Sequence, residues 1–161
     1  MDKAVKQQIV WTILERASDI VGDITESVMD EFYQTANDTQ DLFTQHRPVN
    51  TVQLEAAMVE QALYCFMYWY ENSEEIRITL LGSVPHHVET LNVSIDQYHK
   101  LMQATASVIG KTIPTEQQTE MDVWNEISDS LHEILDLANQ YVYGEVGNSE
   151  PQIQSSTVLC S

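Results

Sequence analysis

A chain of 161 residues suits one domain built around one core. Its 43% apolar content, five glycines and four prolines describe a folded protein with few turns, which excludes a largely disordered one. Twenty-five acidic residues against seven basic ones give a net charge of -18, so nucleic-acid phosphates and anionic lipid surfaces are repelled and neither is an expected partner.

The first predicted helix carries Val5, Ile9 and Ile13 at four-residue spacing, and a second repeats the pattern with Ile24, Val28 and Phe32. Gly22 and Asp23 separate them. Asn37 can cap a short turn through Leu42 and Phe43, after which Arg47 and Pro48 open a loop. From Thr51 to Trp69 two apolar stripes run side by side, Leu54, Met58 and Cys65 beside Ala56, Val59, Leu63 and Phe66, as in a helix buried on two sides. Ser73 ahead of Glu74 and Glu75 predicts a capped start to a shorter helix reaching Leu81 and Gly82. Pro85, which has no amide to give, then ends or strains regular helix.

Ser94 with Gln97 forms a capping-box pattern before Ile95, Tyr98, Leu101, Met102, Thr105, Val108 and Ile109, and Thr115 with Gln118 repeats the device. Met121, Trp124, Ile127, Leu131, Ile134, Leu135 and Ala138 make the apolar face of a last helix, which Gly144 is placed to stop. Residues 145–161 read as a mobile polar tail, leaving 1–144 as the domain. The predicted class is all-α, with six to eight helices. That is too many for a simple four-helix bundle and better suited to crossed helices.

Several chemistries have no foothold. There is no glycine-rich phosphate loop, no glycine-flanked serine and no metal-spaced histidine pair on a helix. The adjacent His86 and His87 point about 100° apart on a helix, so they cannot share one ion. Cys65 and Cys160 are far apart and argue against a disulfide framework or a zinc motif. His46, His99 and His132 read as surface residues, and Trp11, Trp69, Trp124, Tyr64, Tyr68 and Tyr70 as helix-interface aromatics with polar tips outward. The N-terminus lacks a hydrophobic signal core and no apolar run nears the ~20 residues that cross a bilayer, so a cytoplasmic location is expected.

The most specific stretch is His87, with Val93 six residues later and Tyr98 five beyond that. A lone histidine near a helix end is ordinarily a surface group or a partner of the helix dipole, but this spacing resembles the globin family. There a proximal histidine is followed by a branched apolar residue against the haem and then an aromatic early in the next helix. The run from Ile24 to Tyr33 followed by Asp41, Leu42 and Phe43, and the Met121-Asp-Val-Trp124 opening of the last helix, are similar to the same family over residues ~5 to 143.

The resemblance implies a three-over-three helical sandwich holding haem b. His87 would be the axial iron ligand, with His86 as the alternative. Phe43 would stack on the porphyrin, Val93 and Tyr98 would line the proximal side, Gln53 would face the gas and Ala57 would lie one turn deeper. If the loop after Phe43 differs in length by one, Leu54 and Met58 occupy that side instead. Met29 stands where bacterial members often carry a tyrosine, and it cannot donate a hydrogen bond. Pro85 and the missing distal histidine depart from the family pattern.

The implied function is reversible binding of a diatomic gas (oxygen, nitric oxide or carbon monoxide) for transport, storage or sensing, rather than catalysis. Nitric oxide oxidation would need a separate reductase, because the chain carries no flavin or nicotinamide domain. The alternative is a haem-free globin-like sensor or interaction domain that binds a lipid-like ligand or forms a homodimer.

Overall fold

The computed structural model describes residues 1–36, 51–91 and 93–159, with 51, 89–91 and 141–159 described as backbone alone. The predicted turn at Asn37, Leu42 and Phe43 lies outside the described residues, as does His46. Among the described residues there are six helices and no strand: α1 Lys3–Val21, α2 Thr25–Thr35, α3 Thr51–Met67, α4 Trp69–Leu91, α5 Ile95–Gly110 and α6 Gln118–Leu159. The all-helical class follows. Among the described residues no helix is long and apolar enough to cross a membrane.

The carboxylate of Asp2 accepts from the Ala4 amide (3.3 Å) to start α1, which ends at Gly22 with φ 74° and ψ -127°, a conformation that side chains with a Cβ avoid. The inward face of α1 is Gln7, Val10, Ile13 and Ala17, while Val5 is exposed. A strict four-residue row drifts around a helix of 3.6 residues per turn, so the face follows mixed steps of three and four rather than the predicted Val5–Ile9–Ile13 row. In α2, Ile24, Val28 and Phe32 are all buried, as their spacing predicts.

Within α4 the chain kinks at Asn72 (φ -131°, ψ 36°), one residue before the cap predicted at Ser73. Helix α4 then runs through Pro85 to Leu91, and this corrects the stop predicted near Gly82. Proline costs a helix interior about 3 kcal/mol by removing one amide and crowding the carbonyl four residues back. Ile76, Leu80 and Val84, all buried at four-residue spacing on the helix that packs along α6, offset that cost.

The Ser94–Gln97 capping box at the start of α5 forms as predicted, with Gln97 N–H on the Ser94 hydroxyl (3.2 Å) and Ser94 N–H on the Gln97 side chain (2.9 Å). The box predicted at Thr115 and Gln118 does not. A turn closes instead from Gln117 N–H to the Pro114 carbonyl (2.9 Å), the Thr115 hydroxyl turns to Glu116, and the Gln118 amide donates to Asp122. Helix α6 continues past Gly144, since one interior glycine costs a helix only about 1 kcal/mol.

Helices α4 and α5 pack on α6, α2 packs on α5, and α1 contacts both α4 and α6. The core is centred on the face of α6 carrying Trp124, Ile127, Leu131, Leu135 and Ala138, each at most 1% exposed. Trp124 stacks on Phe66 of α3 (4.7 Å) and sends its indole N–H inward to the Ala106 carbonyl (3.1 Å), where the sequence predicted outward tips. Two ion pairs fasten α1 to α6, Arg16 to Glu120 in a two-pronged contact (2.5 and 2.9 Å) and Lys6 to Glu126 (2.8 Å).

Candidate functional site

The end of α4, the link at Val93 and the first turn of α5 meet around His87. On α4 the His87 ring sits one turn beyond Ser83, and its Nδ1 lies 2.7 Å from the Ser83 carbonyl oxygen. A carbonyl can only accept, so Nδ1 carries the proton and, in the neutral imidazole, Nε2 carries the lone pair. The half-buried ring is therefore oriented with a basic nitrogen presented on its far side.

The other predicted proximal residues gather here. The Val93 amide donates to the His87 carbonyl (3.3 Å), which holds the link against the end of α4. The Tyr98 ring meets the His87 ring edge to face, with centroids 5.9 Å apart, and the capping box sets the helix that carries it. Burial pushes the Tyr98 phenol up to about 12, so it stays protonated at neutral pH. Val88 and Leu81 pack partly buried against the core beside them. His86, the alternative ligand, is exposed and meets His87 edge to face at 5.9 Å.

The predicted distal residues are not drawn into this group. Gln53 and Ala57 are exposed on α3, and the same helix turns Met58, Val59 and Ala62 toward the core. Phe43 lies outside the described residues. Met29 is 3% exposed on α2. One turn along α2, the Tyr33 hydroxyl donates to Glu55 of α3 (2.7 Å), tying the two helices together, and burial raises its phenol above the usual tyrosine range.

Among the described residues no group of three or more histidine, cysteine, aspartate or glutamate side chains is arranged to hold a metal ion. Cys65 is buried, which pushes its thiol up to about 11 and keeps it protonated and unreactive.

The sequence reading missed one polar pair. His99 of α5 and His132 of α6, read as surface residues, are half-buried and share a hydrogen bond between their Nδ1 atoms at 2.6 Å. The signal was in the hairpin register: Ala106 and Trp124, which are bonded, stand nine residues either side of Thr115, and His99 and His132 stand sixteen and seventeen.

No family model, no curated protein and no solved structure matches the chain. The reading of the site therefore rests on the chain's own residues.

Proposed function

We propose that this chain is a globin-type haem protein, with its helices in a three-over-three sandwich, that reversibly binds a diatomic gas in the cytoplasm. The observation that supports this reading is the His87 Nδ1 bond to the Ser83 carbonyl, because it presets the tautomer an axial imidazole needs. His87 would hold the iron through Nε2, Val93 and Tyr98 would close the proximal side, and Phe43 would stack on the porphyrin. Haem, when bound, would supply an iron that takes up and releases a small gas.

On the gas side the described residues have little to donate. Met29 and Met58 are apolar, and Gln53 is exposed on α3, so retention of oxygen is weak in this reading. Transport, storage and sensing are all served by such a site, and oxidation of nitric oxide would draw electrons from a separate reductase. The second reading, a haem-free globin-like module that binds a lipid-like ligand or dimerises, is favoured by the outward position of Gln53 and Ala57.

Hydrogen exchange separates the two. Adding haem to the purified chain should slow amide exchange across residues 76–93 and generate an intense violet absorption band, because a ligand that binds only the folded state suppresses local opening where it is held. A colourless protein whose exchange in that segment is unchanged by haem supports the second reading.

A further inference from the structure

We infer that His99 and His132 form a proton-operated catch between α5 and α6, closed while a single proton lies between their Nδ1 atoms and opened when acid delivers another to that position. The ring centroids are 4.9 Å apart, the planes differ by 12° and the facing nitrogens are 2.6 Å apart. The centroid spacing is the nitrogen spacing plus roughly two ring radii, so the rings lie edge to edge in one plane and the N–H···N bond is close to straight.

The partners fix the direction of that bond. His99 Nε2 lies 3.1 Å from Asp136 Oδ1, and beside a carboxylate oxygen a hydrogen on Nε2 is favoured over a lone pair. The neutral His99 ring then offers its Nδ1 lone pair, and His132 supplies the Nδ1–H. A first added proton can settle on His132 Nε2 and leave the bond intact. A second belongs on His99 Nδ1, where it would face the His132 N–H with no acceptor between them and a like charge opposite.

The surroundings act in both directions. Burial, then the charge on His99, disfavours the charged form of His132, while Asp136 and Asp129 of α6 favour it, and the net direction is a lowered pKa. On α5, Asp96 and Lys100 flank His99 but pair with each other (2.9 Å). Among the described residues, no charged side chain of α1 to α4 forms an ion pair or hydrogen bond with either histidine.

The consequence reaches the site because His99 follows Tyr98 directly, and the Tyr98 ring rests on His87. Opening the catch frees the first turns of α5 from α6 and loosens that ring contact. The inference stands whether or not His87 takes iron.

The sign follows from linkage. While the catch is closed the facing nitrogens have room for one proton only, whereas the unfolded chain takes up both below the ordinary histidine pKa of about 6.5, so the pair's contribution to stability is present above that value and lost as the pH falls below it. The test is the thermal midpoint of the full chain at about pH 7.5 and about pH 5, for wild type, His99→Gln, His132→Gln and the double variant. The wild type should lose roughly 2–4 °C more on acidification than either single variant, and the double variant should behave like the singles. An equal acid loss in all four overturns the inference. Should a variant fail to fold, imidazole titration of the wild type by nuclear magnetic resonance decides: two steps separated by at least about one pH unit support the catch, and two independent, coincident steps overturn it.

Discussion

A carbonyl has no proton to give, so at residue scale the Ser83 oxygen decides which nitrogen of His87 holds the hydrogen and which holds the lone pair. The gathering of His87, Val93 and Tyr98 was legible in the sequence because it is local: they are separated by one helix end and one cap, and spacing alone brings them together. Gln53 and Ala57 were harder to read because their facing depends on the rotation of α3 against its neighbours, which no local pattern encodes. The His99–His132 pair needed the register of two helices, which single-helix periodicity does not carry. Trp124 was legible as a core residue but not as a donor. Replacing it with phenylalanine keeps the stacking on Phe66 and removes the bond to Ala106, leaving a carbonyl without its partner. Denaturant unfolding should show a loss of about 1–3 kcal/mol, and an unchanged midpoint would mean that this hydrogen bond contributes nothing.

At the scale of elements, the helices were read correctly where an apolar row and a cap agreed, as in α2 and at the Ser94–Gln97 start of α5. They were misread where one residue was given the power to stop a helix. Pro85 and Gly144 both lie inside helices, because tertiary burial along α4 outweighs a penalty of about 3 kcal/mol and a glycine adds only about 1. Pro85→Ala restores an amide facing the Leu81 carbonyl, so it should stabilise the chain by about 1–3 kcal/mol in thermal or denaturant unfolding. A destabilised variant would show that the proline shapes the turn that presents His87 rather than merely being tolerated there. At Gly22 the positive φ and extended ψ make the glycine itself the stop, and in that case the sequence punctuation was read correctly.

For the whole molecule, the acid excess makes the few cations structurally important. Arg16 and Lys6 carry α1 onto α6 through Glu120 and Glu126, and Glu120 is nearly buried. Arg16→Ala should therefore cost more than the ~1 kcal/mol of an exposed pair and less than the ~3–5 kcal/mol of a fully buried one. Lys6 holds the Glu126 carboxyl below its usual range, so that contact is present at neutral pH and is lost as the pH falls through the carboxylate range. Acid unfolding should begin with α1 leaving α6, which site-resolved hydrogen exchange can follow. The central claim concerns a single imidazole, and the measurement closest to it is haem titration of the wild type, His86→Ala and His87→Ala, followed by absorption. The account predicts that the wild type and His86→Ala develop the same intense band at one haem per chain, while His87→Ala does not. A band of equal strength in His87→Ala, or none in the wild type, would contradict it.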